Sequence, residues 1–248
     1  MSKKSKNAQT NKPQTDKAGS AAAPLFHALK TRHRAERDNY ETTWAQNFSL
    51  RIHRALSWLH KAELAADDAD IRFIALWVAF NAAYAGDVGG QLAGRSLLQE
   101  RDSFQGFLDK ICRLDEDGSL KRLLLQLASG PMRNLLDNEY LFLPYWDYIH
   151  GKAEAQEWQT RFAQEKKRLQ AAVLKQDSAA ALGFVFERLY TLRNQLLHGG
   201  ATWGGAVNRE QLRLANGLLL SVLPAMLSIM LQQPAQFVAP PFYPPIGA

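Results

Sequence analysis

The sequence predicts an all-α fold, one helical-bundle domain with extended N- and C-terminal tails. Three observations predict it. Apolar residues recur at three- and four-residue steps through most of the chain. No alternating run long enough for a strand interrupts them. The breaks between periodic stretches hold Asp clusters or glycines, residues that start and stop helices.

Residues 1–24, rich in Lys, Gln, Asn, Ser, Thr and Ala, read as a disordered basic leader. A single domain follows over 25–233. From Leu25 to Leu64 the spacing of Trp44, Phe48, Ile52, Ala55, Leu56 and Leu59 predicts one long helix. Asp67-Asp68-Ala69-Asp70 ends it and caps the next. That second helix, Ile71 to about Ala85, carries Phe73, Ile74, Leu76, Trp77, Val78, Phe80 and Tyr84, and is predicted to be central. The glycines from Gly86 to Gly94 predict a loop, but no Gly-Lys-Ser/Thr follows to make it a phosphate cradle. Helical spacing resumes over Ser96–Leu114 and Leu120–Leu127. Asp115-Glu116-Asp117-Gly118 between them reads as a turn, because the regularly spaced ligands and terminal Glu of a calcium loop are missing.

Pro131 to His150 is aromatic-rich and broken by Pro144, which predicts a short helix and then an irregular packed segment. Its rings suit core or interface packing first, with a surface for stacking bases as the alternative. Beyond it, about 153–176 form a charged helix, 179–198 an amphipathic one, and 207–232 an apolar one kinked at Pro224. Residues 234–248 are proline-rich and read as an extended tail.

Composition narrows the function classes. With 46% hydrophobic residues the chain has ample core, which excludes global disorder. The net charge of +6 resides largely in the leader, where Lys3, Lys4, Lys6, Lys12 and Lys17 face only Asp16. Such a leader either adds loose phosphate affinity or only solubilises. Cys112 is the sole cysteine, so an internal disulfide and a Cys-rich zinc site are excluded, and no cofactor or metal pattern appears. The lysines of the leader precede no apolar run, so no secretory signal is read and a cytoplasmic location is expected. Leu214 to Leu231 lacks charge and approaches a membrane span in length. Asn216, Gly217, Ser221, Pro224 and Ser228 interrupt it and aromatic anchors are absent, so a core helix is expected and no membrane partner.

One stretch suggests chemistry: Arg193-Asn194-Gln195-Leu196-Leu197-His198-Gly199-Gly200. Arginine can hold a phosphate and histidine can move a proton near neutral pH. On a helical wheel Leu182, Val185, Phe186, Leu189, Leu192 and Leu196 form the core stripe. Glu187, Thr191, Asn194 and His198 lie opposite it, whereas Arg193 sits on the apolar side. A plainer account stands beside the chemical one, since Arg or His in a last turn complements the helix dipole and Gly at its end is a cap. Arg193 and His198 are five apart, about 140° around the helix, so one copy cannot close a site with both. Two copies across a two-fold axis could surround one phosphate, and a homodimer is therefore a condition of the enzymatic reading.

The pattern Arg193-Asn194-x-x-x-His198 followed by glycine resembles the HEPN superfamily. The helical context is similar over much of residues 30–232, including the apolar helix Phe73–Tyr84 and a terminal apolar helix. The resemblance implies a dimeric helical bundle and a metal-independent endoribonuclease. It would make His198 the general acid–base residue acting on a ribose 2′-hydroxyl. Arg193 would neutralise charge on the phosphorane, and Asn194 would orient the histidine or the phosphate. Products would be a 2′,3′-cyclic phosphate and a 5′-hydroxyl, and the setting a toxin or anti-phage defence system with a regulatory or antitoxin partner. Asn81, Tyr84, Glu187 and Tyr190 are possible supporting groups, or serve packing alone. Members paired with a nucleotidyltransferase antitoxin often carry a modified tyrosine two residues after the histidine, where this chain has Gly200. Two rival classes remain: a non-catalytic RNA-binding or dimerisation adaptor of a defence complex, and a protein-interaction subunit using the Pro-rich tail.

Overall fold

The computed structural model describes residues 25–37, 42–84, 97–241 and 243, with only the backbone of 43 and 97–103. All regular structure among them is helical. The expected helix from Leu25 to Leu64 is two, α1 (Leu25–Arg37) and α2 (Thr43–Leu64). The Phe26 N–H donates to Glu63 Oε1 at 2.9 Å, which places the start of α1 beside the end of α2. The two are thus an antiparallel hairpin. Its cause lies in the faces: Phe26 and Leu29 can bury against a core that also takes Phe48 and Ile52 only if the chain folds back.

Helix α3 (Ala69–Tyr84) starts on the Asp68 carboxylate, which accepts the Ile71 N–H at 3.0 Å as the Asp cluster predicts. It packs along α2, with Phe73, Leu76, Trp77 and Phe80 buried. The glycine loop expected at Gly86–Gly94 lies outside the described residues. Helix α4 (Leu97–Arg113) and α5 (Ser119–Ala128) flank the acidic turn. Its Asp115 carboxylate accepts the Leu120 and Lys121 N–H groups at 3.2 and 2.9 Å, so it caps α5. Gly118 closes the turn at φ +65°, a left-handed conformation that costs a side chain but not glycine.

Next come α6 (Pro131–Leu136), a 3-10 turn (Glu139–Leu141) and α7 (Leu143–Ile149). The aromatic stretch is resolved in favour of packing for several of its rings. Tyr145 meets Trp158 edge-on at 5.1 Å, and Phe142 meets Phe162 at 5.1 Å, both partners lying on α8 (Ala155–Leu174). Helix α9 (Ser178–Leu197) is capped by Asp177, which accepts the Ala180 N–H at 3.0 Å. Helix α10 (Arg209–Gln232) runs through Pro224 as one element and packs on α3, α5 and α6. By length and composition it is the one helix among the described residues able to cross a membrane. Most of it is buried inside the bundle, as an all-round apolar core helix must be.

The core extends past the boundary expected at 233. Pro234–Gln236 form a 3-10 turn, and Phe237 inserts between Phe48 and Phe107, each 6.4 Å away ring to ring, with no surface exposed. Buried Arg51 donates to the Phe237 and Ala83 carbonyls, tying this segment to the end of α3. A single aromatic in a proline-rich stretch has no period, so spacing cannot reveal that it is core.

Cys112 on α4 is partly buried, and burial pushes its thiol up to about 12, with Asp115, Asp109 and Asp177 adding to the effect. At pH 8 the thiolate fraction is then roughly one in ten thousand. Iodoacetamide should therefore leave the native protein unlabelled for hours and label it rapidly in guanidinium. Equal rates in the two conditions would contradict this environment.

Candidate functional site at the open end of α9

Helix α9 is sequestered from Ala181 to Leu192 and emerges from the core at Arg193. Its end is a Schellman motif: the Gly200 N–H donates to the Gln195 carbonyl at 2.7 Å and the Gly199 N–H to that of Leu196 at 3.3 Å. Gly199 adopts φ +73°, and a Cβ on Gly200 would approach the Gln195 oxygen to 2.9 Å. Both glycines are thus required by the termination itself.

The guanidinium of Arg193 is held from two sides. Its Nη1 donates to Asn194 Oδ1 at 2.8 Å, and its central carbon lies 5.7 Å from the Tyr190 ring centroid. Its Nε is buried without a hydrogen-bond partner among the described residues. Asn194 thus orients the arginine, and no contact joins its side chain to His198 among the described residues. His198 is the C-cap residue; its N–H donates to the Asn194 carbonyl at 3.0 Å and its side chain is exposed. Arg193 and His198 leave the helix in different directions, as the five-residue spacing requires.

The four supporting candidates divide. Tyr190 is buried against Trp77 and Phe104 and carries Arg193 on its ring. Glu187 lines, with Tyr190 and Thr191, a cleft of about 350 Å³ between α7, α8 and α9. Asn81 and Tyr84 lie elsewhere. Trp77 packs on Tyr190 while Phe80 packs on Phe186, so α3 and α9 run in opposite senses. Residues beyond Phe80 therefore progress toward the start of α9, away from Arg193. Tyr84 packs on Phe80 and Phe107, and Asn81 Oδ1 is buried without a partner among the described residues.

Spacing missed Arg188, which is only 2% exposed. Its Nη2 meets Glu165 Oε1 at 2.5 Å, and its guanidinium lies 4.7 Å over the Phe142 ring. It lines the same cleft as Arg161 and Arg168 of α8. The wheel assigned Glu187 and Thr191 to the side away from the core, and α8 covers that side, turning a wet face into a cleft wall. Asn194 and His198 continue this face beyond the cleft toward the helix end.

The loop after His198 is anchored on the start of α3. Arg209 grips the Asp70 carboxylate with two hydrogen bonds of 2.7 and 2.6 Å, the Gly204 N–H adds a third at 3.2 Å, and Trp203 Nε1 donates to Asp68 at 2.9 Å. The hydrogen bonds from Arg209, then that from Gly204, hold the Asp70 carboxyl below the usual carboxylate range against the opposing effect of burial. A depressed folded-state value contributes stability that is complete above the unfolded value, near pH 4, and is lost as pH falls through the folded value. Asp70→Asn should thus lower Tm at pH 7, with the gap to wild type closing below pH 4. A gap that is constant with pH would contradict the ion pair.

Around the motif the surface is apolar. Leu197, Trp203 and Val207 are 49%, 76% and 59% exposed, and Tyr140 is half exposed. They share one end of the bundle, because Gln195 donates to the Tyr140 carbonyl at 2.7 Å and accepts from Asn208 at 2.9 Å. No group of three potential metal-ligating side chains occurs among the described residues. The chain matches no protein-family model, no curated protein and no solved structure.

Proposed function

We propose that the protein is a HEPN-type, metal-independent endoribonuclease whose site forms where two copies meet at the open end of α9. The observation that carries this reading is Arg193, fixed by Asn194 and Tyr190 at the rim of an exposed apolar surface, with His198 exposed one turn further on. A preset guanidinium stabilises a pentacovalent phosphate without reorganising as charge develops. His198 of one copy takes the 2′-hydroxyl proton as that oxygen attacks phosphorus. The P–O5′ bond breaks, and the same residue of the second copy returns a proton to the departing oxygen. A 2′,3′-cyclic phosphate and a 5′-hydroxyl result. Apolar Leu197, Trp203 and Val207 supply the face on which copies associate. The protein acts in the cytoplasm as a toxin or anti-phage effector under a regulatory partner, and Gly200 leaves that partner no tyrosine to modify. RNA cleavage in excess chelator, compared across wild type, His198→Ala and Arg193→Ala, tests the reading.

The second reading is a non-catalytic RNA-binding or dimerisation adaptor of a defence complex. The Schellman termination favours it, because it accounts for Gly199 and Gly200 without any chemistry. RNA binding without cleavage by wild type would support it.

A further inference from the structure

A second concentration of charge lies between α1 and α2. The groove there encloses about 590 Å³, larger than the cleft beside α9. Helix α1 lines it with Lys30, Arg34 and Arg37 at i, i+4 and i+7, and α2 with His53 and His60 at i and i+7. No carboxylate lines it among the described residues. Glu36, the one acidic residue of α1, pairs with Arg32 at 3.1 Å.

The fold beyond the leader is nearly charge-balanced, so this concentration is local. Burial first, then His53 and Arg37, lower the pKa of His33 against the raising effects of Glu36 and Ser49, and its Nε2 lies 2.9 Å from Ser49 Oγ. At one end His60 stacks on Phe26 at 4.2 Å with a 20° tilt, and its Nδ1 is buried without a hydrogen-bond partner among the described residues. Exposed His27 meets the same phenylalanine edge-on. The lysine-bearing leader joins α1 at this end, through Leu25.

We propose that the α1–α2 groove binds the phosphate backbone of a single-stranded nucleic acid. Lys30 and Arg34, one helical turn apart, are separated by about 6 Å at the helical rise, a length that matches about two phosphates of a stacked strand. Cations in a row serve the backbone, and imidazole rings at the groove's end offer surfaces on which a base can stack. Concavity separates this from a lipid surface, which requires a flat or convex basic face with apolar residues at its crest. Binding here does not depend on cleavage at His198.

The test uses the full chain and a fluorescein-labelled 2′-O-methyl oligouridine 20-mer, which lacks the 2′-hydroxyl and so cannot be cut by the proposed chemistry. Anisotropy titrations compare wild type, Lys30→Gln/Arg34→Gln, and the charge-matched Lys121→Gln/Lys175→Gln on α5 and after α8. The groove pair should weaken binding at least tenfold and reduce the slope of log K against log salt by about 1.4, the value for two lost single-strand contacts. The control pair should stay within twofold. Arg34→Gln/His53→Gln, changing two exposed side chains, keeps the test open if the first variant unfolds on heating too early. Equal losses in groove and control pairs overturn the proposal, as does unchanged binding in the groove variants. Wild-type binding to phosphatidylserine vesicles but not to the oligonucleotide also overturns it.

Discussion

Wild-type protein incubated with mixed RNAs and excess chelator should generate fragments ending in 2′,3′-cyclic phosphate and beginning with 5′-hydroxyl. His198→Ala and Arg193→Ala should each lower the rate by at least about a hundredfold, the range for losing a proton-transfer group or a preorganised charge at the transition state. Asn194→Ala should have a smaller effect of the same kind, because it releases the guanidinium rather than removing it. All variants must melt within a few degrees of wild type, which their exposed or half-exposed positions permit. Mixing wild type with excess His198→Ala protein probes the two-copy site: heterodimers keep only one of the two histidines, so activity should fall as the square of the wild-type fraction, whereas a linear fall would show that each copy acts alone. Equal background in every variant removes the nuclease reading, and cleavage that survives in both single variants assigns it to another group or a contaminant.

Arg188→Met should be the most destabilising single change outside the apolar core. It removes the Arg188 cation from the Glu165 carboxylate, which is 16% exposed, and the guanidinium from the Phe142 and Phe162 rings. Breaking a buried pair from one side costs about 3–5 kcal/mol. At about 2–4 °C per kcal/mol for a domain of this size, Tm should fall by roughly 10 °C. Arg188→Met/Glu165→Leu should recover much of the loss, since an apolar pair requires no charge compensation in the interior. A single variant as stable as wild type would mean that water reaches Glu165 freely. A double variant no better than the single would mean that the ring contacts, not the charges, carry the energy.

The helical architecture was legible where spacing is dense. Phe73, Leu76, Trp77 and Phe80 mark a helix with no wet face, and α3 is central. The Asp67–Asp70 cluster marks the start of α3, where Asp68 accepts a backbone N–H, and the structure adds the same role for Asp115 and Asp177 at α5 and α9. Spacing failed where one period continues through a turn. Residues 25–64 read as one helix because α1 and α2 both carry helical periodicity, and nothing local records that they fold back on each other. It failed again at Phe237, a core residue with no neighbours in register.

The candidate site divides the same way. Local sequence alone determined the helix end: Gly199 and Gly200 terminate α9 because only glycine fits the backbone there, and five-residue spacing separates Arg193 from His198 on any helix. Tertiary structure decided everything that depends on the far side of a neighbour. It set Arg193 on Tyr190, buried Arg188 against Glu165, and turned the polar face of α9 into a cleft by laying α8 across it. It also directed Asn81 and Tyr84 away from the motif, and faced the cations of α1 with the imidazoles of α2. The physical reason is common to all of these. Backbone geometry and caps act over a few residues, whereas burial and charge depend on which distant segment arrives, and a periodic pattern carries the direction of a face but not the identity of what covers it.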